Sequence, residues 1–134
     1  MSKLIQMTGN NVLLDTSVVI DLFKGDQAVL SALEQQREIY IAAAVLGELY
    51  LGAYRSVHAQ KKMQQINDFL IMCTVLSVDQ NTAEKYAIIK TSLLSKGKPI
   101  PENDIWIAAT AMQYNLLLYT MDSHFREIQT ISLL

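Results

Sequence analysis

Four carboxylates stand at distant places in the chain, in settings that repeat. Asp15 follows the apolar run Val12-Leu13-Leu14, and Asp122 follows Leu116-Leu117-Leu118-Tyr119-Thr120 closely. Glu48 and Asp104 each lie near the start of an apolar helical stretch. Asp15 taken alone reads as a helix cap. Four such acids gathered at one edge would read differently. A helix N-terminus favours an anion by only ~0.3–1 kcal/mol, which does not balance repulsion among carboxylates a few ångströms apart. A cation has to join them. Oxygen ligands suit a hard divalent ion, magnesium or manganese, better than zinc, which prefers His and Cys. Acidic metal sites of this kind do phosphoryl chemistry, because the ion acidifies a water and stabilises charge at the attacked phosphate.

The elements that must position these acids alternate along the chain. Val12-Leu13-Leu14 reads as a buried strand, and Thr16 and Ser17 are expected to cap the helix that continues through Val18 to Phe23. Gly25-Asp26 breaks it, and a short helix follows from Ala28 to Gln36. Ile39-Tyr40-Ile41-Ala42 is the second strand, and Val45 to Tyr54 the next helix, with Glu48 in or just after its first turn. From His58 to Cys73, apolar residues recur every three or four positions, which predicts a one-sided helix. Thr74 to Val78 is a third strand. Asp79 or Asn81 caps a helix that Gly97 ends, and Lys98-Pro99-Ile100-Pro101 cannot be helical. Asn103 is the expected cap of a nearly all-apolar helix from Ile105 to Met112, with Asp104 at its start. Leu116 to Thr120 is a fourth strand, Ser123 to Glu127 a helical turn, and Ile128 to Leu134 a last short strand. Strands alternating with helices predict a three-layer α/β/α sandwich with a mainly parallel sheet of about five strands. Strand C-termini and following helix N-termini share one edge of such a sheet, so the four acids are expected to converge there.

Composition narrows the class. The 134 residues suffice for one domain with a core, and 51% are hydrophobic, which excludes a disordered chain. Met1-Ser2-Lys3-Leu4 lacks signal-peptide features, no apolar run reaches membrane-span length, and Cys73 is the only cysteine. A cytoplasmic setting without disulfides is expected. The net charge of −2 gives no global attraction to nucleic acid, so a nucleic-acid substrate needs a local basic rim or metal ions.

Val12 to Ser17, Ala44 to Leu49, Pro101 to Ala109 and Tyr119 to Phe125 resemble, in order and spacing, the motifs of PIN-domain ribonucleases, and within them the VapC-like toxins of toxin–antitoxin pairs. The resemblance spans nearly the whole chain and implies a single nuclease domain over 1–134, with sheet order 3-2-1-4-5. It implies that Asp15, Glu48, Asp104 and Asp122 are the catalytic, metal-binding acids and that Thr16 or Ser17 supplies a supporting hydroxyl. It implies RNA cleavage with magnesium or manganese, a cognate antitoxin partner and a homodimer. An apolar stripe along Met63, Ile66 and Leu70 is the expected dimer surface, and the antitoxin is expected across the acidic edge. The stretch between Gly52 and Thr74 matches no motif.

The remaining candidates read more plainly. Asp21 and Glu102 are solvated helix acids, although Glu102 is near enough for a metal's outer shell. His124 reads either as a group that positions phosphate or acts as an acid, or as a plain surface residue. The second is preferred, because a metal-water mechanism needs no His. His58 starts a helix, and Trp106 and Cys73 belong to the core. Arg55, Lys61, Lys62, Lys96, Lys98 and Arg126 are either a phosphate-contacting rim or ordinary solubilising charge, and both readings stay open. Other functions fit less well. An aspartyl-phosphate phosphatase wants a second Asp two residues after the first, where Ser17 stands. A phospho-acceptor domain lacks its acceptor Asp and its Lys, and no Gly-rich loop serves a nucleotide. A non-catalytic metal-binding α/β interaction module is the alternative that a cleavage assay with and without EDTA separates.

Overall fold

Val12, Leu13 and Leu14 have no solvent exposure. Successive strand residues point to opposite faces, so this strand is covered on both sides. The computed structural model describes residues 10–134; the expectation about Met1 to Leu4 lies outside them. Strand β1 (Val12–Leu14) is followed by helices α1 (Thr16–Phe23) and α2 (Gln27–Glu34), then by β2 (Ile39–Ala42). Helices α3 (Ala43–Tyr54) and α4 (Ala59–Leu70) lead to β3 (Thr74–Leu76). Helices α5 (Gln80–Lys96) and α6 (Glu102–Tyr114) lead to β4 (Leu117–Tyr119), a 3₁₀ turn (Ser123–Glu127) and β5 (Ser132–Leu133).

All four pairings are parallel, in the order β3-β2-β1-β4-β5. Leu13 lies opposite Tyr40 on one side and Leu118 on the other. The chain first grows outward from β1 through β2 to β3, then returns to lay β4 on the free side of β1. That reversal puts a crevice between the ends of β1 and β4, the place where ligands bind in open parallel sheets.

Several local expectations are corrected. Thr16 and Ser17 do not cap α1; Asp15 occupies the cap position through its extended backbone, and Thr16 is already helical. Asn103 does not cap α6. Pro101, extended with φ −56°, makes the entry, so Glu102 becomes the first helical residue. Proline suits such an entry because it has no N–H to satisfy. Helix α3 starts at Ala43, two residues earlier than expected, which places Glu48 beyond the first turn. The stripe on α4 faces inward: Ile66 is 2% exposed and Met63 and Leu70 pack against the core. It is therefore not a free dimer surface. Strand β5 is shorter than expected, because Ile128 turns into the core instead of extending the sheet.

Other expectations hold. Asp79 caps α5 in a reciprocal box with Thr82, and Gly97 ends that helix at φ +64°, where a side chain would be strained. His58 stands at the start of α4. Helix α6 buries Ile105 and the run from Ile107 to Ala111. Trp106 departs from its expected place in the core: it is only half-buried and stacks on Tyr86, with ring centroids 4.2 Å apart. Cys73 is half-buried against the core, and burial pushes its thiol up to about 11. No helix among the described residues is long and apolar enough to cross a membrane.

Candidate metal centre

Asp15 leaves β1 where its backbone N–H donates to the Tyr119 carbonyl at 2.9 Å. That bond ties the first carboxylate to the end of β4. The Asp15 side chain does not cap α1. Its Oδ2 instead accepts from the Ser17 hydroxyl at 2.9 Å and from the Thr120 hydroxyl at 2.7 Å. Asp15 is 5% exposed, and these two donors offset part of the cost of burying its charge. Ser17 in turn accepts from the Met121 N–H, and Thr120 from the Asp122 N–H. Two hydroxyls thus bind the start of α1 to the loop after β4. The supporting hydroxyl next to Asp15 is Ser17. The Thr16 hydroxyl is buried and has no hydrogen-bond partner among the described residues.

Asp122 accepts from the His124 N–H at 2.9 Å and so caps the 3₁₀ turn. The His124 imidazole folds back over the acids. Its Nδ1 lies 3.1 Å from Asp122 and 3.5 Å from Asp104. Asp104 comes from the first turn of α6, where the helix dipole favours an acid. Burial, then the Asp15 carboxylate, and less strongly Asp122, nonetheless push its pKa up to about 6, with His124 pulling the other way. The rise has two physical causes, lost hydration and like charge.

Among the described residues, one donor atom each from Asp104, Asp122 and His124 lies within 4.8 Å of the others. Two carboxylate oxygens and an imidazole nitrogen at that spacing, with Asp15 near enough to raise Asp104, fit a divalent cation. Glu48 is not in this group. It meets the site indirectly, through the Asn103 amide that donates to it at 3.4 Å. Asp21 is not in the group either; with Asp26 it helps raise the Tyr119 hydroxyl, after burial. Glu102 faces α5, accepting from the Tyr86 hydroxyl and the Lys90 ammonium at 2.6 Å each.

Sequence reasoning gave no role to Thr120 and placed His124 outside the site. The signal for Thr120 was a hydroxyl at a strand end, two residues before an acid. For His124 it was the same spacing after that acid, which a turn converts into a contact.

Comparison with known proteins identifies the family and the fold. A family model described as PIN domain matches residues 12–131. Ribonuclease VapC2 of Haemophilus influenzae is 33% identical over 121 residues, covering 89% of this chain and 90% of the relative. The fold is similar to the crystal structure of VapBC2 from Rickettsia felis bound to a DNA fragment from their promoter, with TM-score 0.87, 25% identity and coverage of 92% and 97%. It is also similar to the crystal structure of FitAcB from Neisseria gonorrhoeae, with TM-score 0.81, 27% identity and coverage of 92% and 96%. A parallel sheet whose reversal point gathers acids from three distant segments, matched over nearly its whole length, places this chain in the PIN domain family, among the VapC ribonucleases.

Proposed function

We propose that this protein is the toxin of a type II toxin–antitoxin pair, an endoribonuclease that depends on magnesium or manganese. One observation carries the reading: carboxylates from the end of β1, the first turn of α6 and the end of β4 gather at the sheet's reversal point, where burial and then the Asp15 charge push Asp104 up to about 6. Asp15, Asp104 and Asp122 are the proposed metal-binding and catalytic acids. Glu48 is proposed as a fourth, acting from the rim through Asn103. When bound, a divalent ion supplies a more acidic water and a positive charge beside the phosphate.

The chain's own groups do the positioning. Ser17 and Thr120 hold Asp15 by one oxygen, leaving the other for a ligand. Asp104 stays ionised at neutral pH but is near enough to its pKa to take up a proton. His124 lies between Asp104 and Asp122 and offsets part of their repulsion.

The wider reading follows the relatives. A similar solved structure from Mycobacterium tuberculosis is described as a member of the VapBC family of toxin-antitoxin systems, which supports a cognate antitoxin here. A single domain over 1–134 is supported by one continuous core from Val12 to Ile128. Exposed Leu51, Tyr54 and Val57 near the end of α3 support a homodimer. The cytoplasm, where RNA lies within reach, is the proposed setting.

The test is cleavage of an RNA pool by purified protein in magnesium, manganese or excess EDTA. Cleavage in either ion and none in EDTA is expected. Equal cleavage in EDTA overturns the metal mechanism. Metal binding without cleavage favours the non-catalytic module instead.

A further inference from the structure

We propose that Arg126 and the hollow beside Asp122 hold the RNA phosphate adjacent to the one being cleaved. The proposal rests on the ribonuclease reading and gives its substrate a direction across the site. The hollow measures about 300 Å³ and is lined by Thr120, Met121, Asp122, Ser123, Arg126, Leu133 and Leu134. It shares Asp122 with the acid group, so a strand reacting over the acids enters it with the next nucleotide.

The local backbone aims Arg126 there. In a 3₁₀ turn, side chains three apart eclipse. Ser123 and Arg126 are three apart in the Ser123–Glu127 turn, and both line the hollow. The turn is held rigid by fully buried Phe125 beneath it and by the Asp122 carboxylate at its start. A hydroxyl and a guanidinium fork on a fixed base match a phosphodiester, which arginine binds through two parallel hydrogen bonds.

Arg126 is also uncommitted. Among the described residues, Lys85 pairs with Glu84, Lys90 with Glu102, and Lys96 donates to the Glu127 carbonyl. Arg126 makes no ion pair or side-chain hydrogen bond among the described residues and is exposed. The groove on the Glu48 side offers a poorer phosphate site. It carries Lys24 and Lys62, but its walls include Ile20, Phe23, Leu49 and Ile66. An anionic backbone passing an acidic centre needs a cation close by, and Arg126 is the one beside Asp122.

The experiment compares wild type, Arg126→Ala and Arg126→Lys. Steady-state cleavage of a single-stranded RNA in manganese is followed across a salt series. Binding of the same labelled RNA is followed by fluorescence anisotropy under single-turnover conditions, before cleavage. Manganese binding and thermal melting without RNA are the controls. Arg126→Ala should raise KM and Kd about tenfold, with kcat within about twofold. Its log Kd against log salt should flatten by about 0.7, one single-strand phosphate contact. Arg126→Lys should restore the salt slope but only part of the affinity. Manganese affinity and Tm should not move. An unchanged Kd and salt slope overturns the proposal, as does a fall in kcat alone or a shift in Tm. If wild type binds RNA but cleaves none, the ribonuclease reading fails, and the anisotropy arm still decides the Arg126 contact.

Discussion

Asp104 carries the electrostatic cost of the acid group. Its pKa near 6 lies above the ordinary value of 3.8. For an acid raised on folding, the penalty is absent below the unfolded value, grows as pH rises through the folded value, and is complete above it. Near neutral pH without metal, the shift corresponds to up to ~3 kcal/mol of lost stability. Asp104→Asn keeps the shape and removes the charge. In EDTA it should melt at or above wild type near pH 7.5 and close to wild type near about pH 4. It should also abolish cleavage and weaken manganese binding. Paired melts at both pH values check this, and a mutant that melts well below wild type at neutral pH would show that Asp104 serves the first turn of α6 before it serves a metal. Thr120 is the complementary case. Thr120→Val removes the donor to Asp15 and the acceptor for the Asp122 N–H while keeping the volume. Leaving buried Asp15 with one donor should cost ~1–3 kcal/mol in a denaturant titration and lower kcat more than KM.

The elements were legible wherever hydrophobic period and punctuation agreed. The runs at Leu13 and Leu118 gave the central strands, and Gly97 with Pro99 and Pro101 gave the break before α6. What was not legible depended on backbone angles or on which face turned inward. Asn103 has a capping side chain, yet Pro101 sets the helix entry one residue before Glu102 and so turns Asn103 toward Glu48. Periodicity identified the apolar face of α4 but could not say that α3 and α1 already cover it. Glu48 shows the same limit: it stands in the second turn of α3, not at a helix start, and the Asn103 amide reaches it there. Leu118 tests the framework apart from the chemistry. It is fully buried in β4 opposite Leu13. Leu118→Ala should cost ~2–5 kcal/mol by denaturant titration. Cleavage by the fraction still folded should be retained, because Leu118 is not one of the residues that form the acid group.

At the scale of the whole molecule, the sheet is wound outward and then back. Leu13 pairs with Leu118, and the hydrogen bond from Thr120 to Asp15 joins residues 105 apart. The two ends of the described chain are thus laced together at its centre. A chain ending at residue 115 lacks β4, Thr120 and Asp122. It should show no cooperative unfolding by circular dichroism and bind no manganese, and a cooperative melt would show that the outward half is a domain by itself. This winding also acts as a clock. Translation at ~5–20 residues per second separates the emergence of Asp15 from that of Thr120 by roughly 5–20 s. Through that interval the growing polypeptide has one acid of the centre, with β2 on one side of its strand but no β4 on the other and no crevice to act in. A destructive activity that assembles only once the fourth strand joins the first is silent on the ribosome, and a neutralising protein has that time to accumulate.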